Sequence, residues 1–408
     1  MIDYYETKQH PITRKMVLEA YKHVRSNKGA AGVDGQTLEE FAKVAPRELY
    51  KIWNRMTSGC YYPSDVREVL IPKKSGGLRM LGIPTVSDRI AQQVVKAYLE
   101  PIVEPTFHEN SYGYRPGRNA HQALEKVSKA CKYYNWILDI DIRKFFDSID
   151  HELMMKALQW YTKEKWVLMY VERWLKAGIF RSGKSESRDQ GTPQGGVISA
   201  LLANIYLHVA MDKWMEKNHP YLHFVRYCDD AVIHCSSEKQ ARFIKDVLAK
   251  RLKACKLELN EEKTVIAYCR NQIHKESHRK VCITFLGYTF RPVLSPTRNG
   301  WILFYTPCMS AGAKKEIRAK VRAVIRERFV GTIQELAAQL NSKIRGWIRY
   351  YCAFSAKTTY GLWYWMNQRL VEWVRKLRGF SKHRAYRWMK RVYANVPGLF
   401  AHWQLCHP

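Results

Sequence analysis

The order of apolar and polar residues along this 408-residue chain predicts much of its secondary structure. Two apolar runs flank a glycine-containing turn in "DVREVLIPKKSGGLRMLGIP" (65–84), which predicts a β-hairpin. Apolar side chains at helical spacing predict a helix over 88–103. Residues 1–60 are expected to be mostly helical, with a break at the glycine-rich loop "NKGAAGVDG" (27–35).

Two later stretches predict strands that carry acids. In "NWILDIDIRKFFDSI" (135–149), alternation predicts a strand with one apolar side and one side bearing Asp139 and Asp141, followed by a turn. The stretch "FVRYCDDAVIHC" (224–235) predicts a hairpin with two adjacent aspartates at its tip. The remaining patterns predict helices over 151–176 and 237–255, a glycine-rich loop opening a long apolar helix within 188–215, and strands near 263–269 and 283–290.

The composition changes after about residue 310. Residues 311–408 contain 20 Lys and Arg against 4 Glu and no Asp, together with 16 aromatic residues. Thr332 and Glu335 match a capping box, which predicts the start of a helix. A domain boundary is therefore expected near 300–310, with a separate helical module behind it.

The charge balance narrows the class of partner. The chain has 68 Lys and Arg against 37 Asp and Glu, a net charge of +31, which favours nucleic acid first and an anionic membrane surface second. The longest mainly apolar run, Val197–Met211, is too short to span a bilayer, and the N-terminus lacks a signal-peptide pattern. The ten cysteines form no CxxC pair or zinc-type cluster, so reduced thiols in a cytosolic protein are expected.

The adjacent acids Asp229 and Asp230 are the strongest candidates for chemistry. Carboxylates held together without basic partners usually bind a cation. A third acid from a neighbouring strand would complete a site for two Mg²⁺ ions about 4 Å apart, with Mn²⁺ as an alternative. Asp141 is the preferred third acid because its strand turns just after it, while Asp139 remains open as a competitor. The backbone carbonyl of Ile142 is a further candidate ligand.

Several motifs resemble those of a known family. "YCDD" resembles the YxDD box of reverse transcriptases, "DIRKFFDSIDHEL" their first catalytic block, and "GTPQGGVISALLANIYL" the block between them. Further blocks match in the right order: "IPKKSGGLRMLGIP", "SYGYRPGRNAHQAL", "LELNEEKT" and "FLGYTF". The set resembles the group II intron-encoded reverse transcriptase/maturases over roughly residues 20–400. Cys228 departs from the pattern, because the intron enzymes most often have Ala there.

The resemblance implies a fold and a domain order. The expected fold is an α+β right-hand polymerase, with fingers and palm in residues 1–305 and an N-terminal extension at 1–60. A three-helix thumb would follow in residues 306–365, and a basic nucleic-acid-binding segment in 366–408. Many relatives continue into an HNH endonuclease domain. This chain ends at "FAHWQLCHP" without a CxxC pair, so the form lacking that domain is expected.

The resemblance also implies roles for individual residues. Asp141, Asp229 and Asp230 would hold the metals, one activating the primer 3′-hydroxyl and the other stabilising the pyrophosphate. Phe146 would exclude a 2′-hydroxyl, with its neighbour Phe145 as the alternative. The implied nucleotide contacts are Lys73, Arg79, Phe146, Gln194 and Lys263, and the implied template contacts are Arg115 and Arg118. For Lys263, a plain surface lysine is an equal alternative.

The stretch 345–391 interleaves Arg and Lys with Trp and Tyr. Bases stack on such rings while the cations contact phosphates. A helical bundle with buried rings and exposed cations is compatible with that role. The candidate nucleic-acid contacts are Arg345, Arg349, Lys376, Arg378, Arg384 and Arg387.

The expected function is an RNA-directed DNA polymerase encoded by a group II intron. It would bind the structured intron RNA to assist splicing and copy it into DNA during retrohoming, in the bacterial cytoplasm or nucleoid. The expected partners are intron RNA, an RNA template with a DNA primer, target DNA and dNTPs, and no membrane. The alternatives are a domesticated reverse transcriptase in phage defence, spacer acquisition or DNA repair, and a catalytically silent RNA-binding splicing factor.

Overall fold

The structure is a computed structural model that describes residues 9–72, 77–298, 300–327 and 331–408. Its helices are α1 (Arg14–Ser26), α2 (Leu38–Lys43), α3 (Ala45–Thr57), α4 (Val86–Val103), α5 (Ala120–Ala130), α6 (Phe145–Ser148), α7 (His151–Leu158), α8 (Lys165–Lys176), α9 (Ser199–Leu207), α10 (Lys213–Asn218), α11 (Glu238–Ala254), α12 (Ala311–Glu327), α13 (Ile333–Tyr351), α14 (Tyr360–Arg378) and α15 (Lys382–Asn395). Its strands are β1 (Val66–Pro72), β2 (Leu78–Ile83), β3 (Trp136–Ile140), β4 (Ile179–Arg181), β5 (Lys184–Glu186), β6 (His223–Tyr227), β7 (Asp230–Cys235), β8 (Val265–Tyr268), β9 (Ile283–Phe285), β10 (Tyr288–Thr297) and β11 (Gly300–Met309).

The chain divides into two compact units that interleave along the sequence. The first contains the described residues up to Asn119, together with Ile140–Ile233 and Lys239–Thr264. The second contains Ala120–Asp139, His234–Glu238 and the described residues from Val265 to the end. Helices and strands occur in both units, which confirms the α+β class.

The first unit begins with helices and a four-stranded sheet. The strand order in that sheet is β2-β1-β4-β5, and β1 and β2 are antiparallel, with Val69 opposite Leu81. The predicted hairpin is thus confirmed, although residues 73–76 of its turn lie outside the described residues. The predicted helix over 88–103 is also confirmed, since α4 buries Ile90, Val94 and other apolar side chains.

Two predicted helical stretches of the first unit differ in their outcome. The single helix predicted over 151–176 is wrong, because α7 and α8 are separated by a turn. In that turn the Thr162 hydroxyl accepts a hydrogen bond from the Glu164 amide, at 3.1 Å, and this local bond competes with the helical pattern. The predicted loop and long apolar helix within 188–215 are confirmed, since the loop gives way to a continuous helical stretch that begins at Ser199. A wider helical turn, His208–Asp212, then joins α9 to α10.

The hairpin with the acidic tip is confirmed. Strands β6 and β7 are neighbours in their sheet, and Cys228 and Asp229 form the turn between them. Asp230 is already the first residue of β7. The two acids therefore differ in backbone setting, because one lies in the turn and the other at a strand end.

The second unit combines strands with a helical core. The sheet order is β11-β10-β9, and β3 pairs antiparallel with β8. Thr332 and Glu335 form the predicted capping box at the start of α13. The two expected domain boundaries fall inside elements, at residue 305 within β11 and at residue 365 within α14.

The C-terminal segment belongs to that helical core. Phe400 and Trp403 are buried in one cluster with apolar side chains of α12, α13 and α14. Asn341 of α13 donates to the Leu399 carbonyl and accepts from the Ala401 amide, both at 2.9 Å. Residues 366–408 are therefore not a separate segment. Many of their apolar residues join the same core, and most of their cations are exposed.

Candidate active site

The aspartate turn is held in an unusual backbone conformation. Cys228 has a φ of 57°, in the left-handed region that non-glycine residues rarely adopt. Gly113 packs directly against it, because a Cβ atom there would lie 2.4 Å from the Cys228 nitrogen and 2.9 Å from the Tyr227 carbonyl carbon. Only glycine fits at position 113 without moving the turn.

A buried ion pair between Arg226 and Asp212 stabilises the same turn. The guanidinium of Arg226 donates to both carboxylate oxygens of Asp212, at 2.7 and 2.5 Å. Its third nitrogen donates to the Cys228 carbonyl and to the Asn204 side-chain oxygen, each at 3.1 Å. Burial opposes ionisation of Asp212, yet the Arg226 charge and bonds from His208 and Arg226 lower its pKa to about 2. Arg226 therefore links the turn to the wide helical turn that carries Asp212.

Asp141 follows β3 and is held by the 258–260 segment. Its carbonyl accepts from the Asn260 amide at 2.8 Å, and the next residue, Ile142, pairs with Leu259. The ammonium of Lys263 lies 3.4 Å from both carboxylate oxygens of Asp141. These contacts place the Asp141 carboxylate and a cation together.

The pKa of Asp230 shows that four other predicted site residues lie within electrostatic range of its carboxylate. Asp230 keeps exposed surface at the end of β7, but desolvation of its carboxylate and the charges of Asp229 and Asp141 raise its pKa to about 7, against the opposing charges of Lys263 and Arg79. Asp141, Asp229, Asp230, Lys263 and Arg79 are therefore neighbours in this site.

The competitor Asp139 faces other groups. It lies in the second unit. There its charge helps to raise the pKa of Tyr305, although burial and the neighbouring thiols of Cys269, Cys131 and Cys282 contribute more. The geometry therefore favours Asp141 as the third acid.

The carboxylates have the chemistry to bind a divalent cation, but their side chains are not arranged as a complete metal site. In the ranges that the structure describes, no group of three or more His, Cys, Asp or Glu side chains is assembled to hold a metal ion. Repulsion by Asp229 and Asp141, which adds to burial in raising the Asp230 pKa, is the kind of interaction that a bound cation relieves. Lys263 supplies positive charge at Asp141 in this structure, so its ion pair would have to loosen for Asp141 to bind a metal.

Phe146 and Gln194, two further predicted site residues, lie in the first unit. Phe145 is buried whereas Phe146 is partly exposed, so Phe146 is the ring available to a nucleotide. The Gln194 carbonyl accepts from the Gly82 amide at 2.9 Å. A Cβ atom on Gly195, whose φ is 121°, would lie 2.8 Å from the Gly82 oxygen. Lys73 falls outside the described residues.

Arg115 is not available as a template contact. It is buried, and its guanidinium donates to the Glu104 carboxylate at 2.9 Å and to the carbonyls of His108 and Ser111 at 2.8 and 2.7 Å. Its bonds brace the loop that carries it. Arg118 is exposed and stacks over the Tyr112 ring at 5.4 Å, so it remains free to meet a nucleic acid.

The six predicted C-terminal contacts are all exposed in the second unit. Arg378 lies over the Trp388 ring at 4.6 Å, and Arg384 lies over the Phe380 ring at 4.4 Å. Guanidinium groups paired with rings in this way present both a charge and a stacking surface.

Sequence reasoning missed Arg226, Asp212 and Asn204, which support the aspartate turn. Arg226 had a readable signal, since an arginine inside an apolar strand needs a buried acid. Its partner Asp212 lies 14 residues away on a helix, and nothing local marks it.

Two family models match the chain. The model described as "Reverse transcriptase (RNA-dependent DNA polymerase)" matches residues 71–290, and "Group II intron, maturase-specific domain" matches residues 314–394. The first match covers more than half of the chain, so the fold is that of a reverse transcriptase. The chain belongs to the group II intron reverse transcriptase/maturase family.

Individual relatives agree with that assignment. Group II intron-encoded protein LtrA of Lactococcus lactis subsp. cremoris is 28% identical over 419 residues, covering 81% of this chain and 68% of LtrA. Protein YkfC of Escherichia coli K12 is 32% identical over 302 residues, covering 64% of this chain and 79% of YkfC. Among solved structures, a truncated apo telomerase from Candida tropicalis matches with a TM-score of 0.44 at 15% sequence identity. The match covers 56% of this chain and 53% of the telomerase chain, and no argument is based on it.

The matches confirm several expectations. The family, the α+β reverse transcriptase fold and the enzyme class, an RNA-directed DNA polymerase, are as predicted. Reverse transcriptases generally use divalent metal ions. Within the described ranges, no helix is both long enough and apolar enough to cross a membrane.

Proposed function

We propose that this protein copies intron RNA into DNA at a two-metal site formed by Asp141, Asp229 and Asp230, with the Ile142 carbonyl as a further ligand. Two Mg²⁺ ions, or Mn²⁺, would activate the primer 3′-hydroxyl and stabilise the departing pyrophosphate. The observation that carries the proposal is that Asp229 and Asp141 both act on Asp230: after burial, their charges are the next causes that raise the Asp230 pKa to about 7.

The surrounding residues bind and orient the substrates. Arg79 and Lys263 supply positive charge beside the carboxylates, where a triphosphate would otherwise be repelled. Phe146 presents a ring that would exclude a 2′-hydroxyl, and Gln194 lies on a loop tied to β2. Lys73 belongs to the same group of nucleotide contacts on the resemblance alone.

Nucleic acid would be held on exposed basic surfaces. Arg118 would contact the template, and the exposed C-terminal arginines and lysines would contact the primer–template, target DNA and intron RNA. We place the end of the fingers and palm at Ser310, between β11 and α12, with the thumb and maturase helices behind it. The bacterial cytoplasm or nucleoid is the proposed site of action.

The catalytic proposal is tested with Asp229→Ala. Loss of a metal ligand removes several kcal/mol of transition-state stabilisation, so primer extension on poly(rA)/oligo(dT) should fall about 10³-fold or more. Binding of an RNA template, measured by filter retention, should change little. Asp246→Ala on α11 is the matched control, because it removes an exposed acid outside this site. Wild-type extension by Asp229→Ala would refute the site.

The intron partner is tested separately. RNA that copurifies with the protein from its native host should be enriched in sequence with a group II intron fold. Enrichment of unrelated RNA, with primer extension intact, would favour a domesticated reverse transcriptase.

A further inference from the structure

Tyr114 is an exposed aromatic residue beside the catalytic turn. Its ring centroid lies 6.5 Å from that of Tyr227, the residue before Cys228. The preceding residue, Gly113, packs against the turn so closely that no Cβ atom would fit. The backbone of Tyr114 is therefore tied to the turn, while 58% of the residue remains exposed.

The backbone at Tyr114 is strained and supported on both sides. Its φ is 56°, a value that a bulky residue holds only when its surroundings require it. On one side, the Gly113 carbonyl accepts from the buried side-chain amide of Asn204 at 2.7 Å. On the other side, the buried Arg115 guanidinium is anchored to Glu104. Two polar anchors thus fix the loop and project the ring outward.

Charges from the site act on the same phenol. Burial contributes most to raising the Tyr114 pKa, the charges of Cys228 and Asp229 raise it further, and that of Arg79 lowers it. Tyr114 therefore lies close to both a predicted metal ligand and a predicted nucleotide contact. Its phenol stays protonated and uncharged at neutral pH, so the ring does not add a negative charge where nucleic acid must approach.

We propose that the Tyr114 ring is the stacking surface for the base at the 3′ end of the primer. The inference rests on the proposed function, because nucleotidyl transfer at Asp229 requires the primer 3′ end to come next to this turn. Every base has a π-face, so an aromatic platform holds the terminal nucleotide regardless of sequence. Tyr114 would thereby set the register of the primer end at the metal site.

The test uses Tyr114→Asn and Tyr114→Phe. Asparagine removes the ring but tolerates the left-handed backbone, so the fold should be kept, and thermal unfolding checks this. Phenylalanine keeps the ring. Tyr221→Asn is the matched control, because Tyr221 lies in the same unit and is also 58% exposed.

The main readout does not depend on catalysis. A DNA primer ending in 2-aminopurine, annealed to an RNA template, is bound without dNTPs, and stacking on Tyr114 quenches the fluorescence. Tyr114→Asn should abolish the quenching and weaken use of the primer–template by about 5- to 150-fold. Tyr114→Phe and Tyr221→Asn should both match the wild type.

Three results would overturn the inference. Wild-type quenching by Tyr114→Asn would exclude the contact. A change confined to the KM for dNTPs would place Tyr114 at the incoming nucleotide instead. Equal losses in Tyr114→Phe and Tyr114→Asn would show that the hydroxyl acts rather than the ring. By contrast, failure of the proposed function would appear as wild-type protein that cannot extend primers at all.

Discussion

Placing the Asp230 carboxylate away from water and beside two other carboxylates is a cost at the residue scale. Burial and the charges of Asp229 and Asp141 raise the Asp230 pKa to about 7, whereas an unfolded aspartate titrates near about 4. Between these two pH values the folded protein binds a proton that the unfolded chain has released. The free energy of unfolding therefore falls as pH rises through this window.

This linkage predicts how Asp230→Asn changes the pH dependence of stability. In EDTA, the wild type should lose stability from pH 5 to pH 8, and Asp230→Asn should lose less. Mg²⁺ should stabilise the wild type more at pH 8 than at pH 5.5, because the ionised carboxylates bind it. Urea unfolding at each pH measures both effects. Parallel pH curves for the two proteins would contradict the assigned pKa.

At the scale of elements, the turn between β6 and β7 depends on a helical element distant in sequence. Arg226 on β6 reaches Asp212 on the wide turn His208–Asp212, and both side chains are fully buried. Removing one partner of such a pair leaves an uncompensated buried charge, which costs about 3–5 kcal/mol. Replacing both by apolar residues avoids that cost.

A double-mutant cycle tests this coupling. Arg226→Met and Asp212→Leu should each lower the free energy of unfolding by about 3–5 kcal/mol, while the double variant should lose much less than their sum. Denaturant unfolding measures the stabilities. Additive losses would mean that the two side chains act independently.

At the scale of the whole molecule, the net charge of +31 dominates. Each unit presents exposed cations around a buried apolar core, and the C-terminal cations are exposed because the aromatic residues between them fill the helical core. Binding of nucleic acid by such surfaces releases counterions and weakens as salt rises.

Salt dependence tests the C-terminal cations. Arg384→Gln combined with Arg387→Gln should weaken RNA binding at every sequence and reduce the slope of log K against log salt by about 1 to 2. Lys250→Gln combined with Lys253→Gln on α11 removes the same charge from another exposed helix. Equal slope changes in the two pairs would show that only net charge matters.

The sequence by itself determined the elements whose signals are local. The hairpin of β1 and β2, helix α4 and the capping box at Thr332 depend on neighbouring residues, and so they were predicted correctly. The chemical identity of the site stays a prediction, made from the adjacent aspartates in an apolar hairpin.

Only the tertiary structure decided which side chains are bonded inside the protein and which are exposed to bind a ligand. The Arg115 guanidinium is fully engaged by Glu104 and local carbonyls, whereas the neighbouring Tyr114 is exposed. The C-terminal segment docks through Asn341, which bonds to a carbonyl 58 residues away. No local pattern encodes such partners, because burial and hydrogen bonding depend on contacts between residues far apart in the chain.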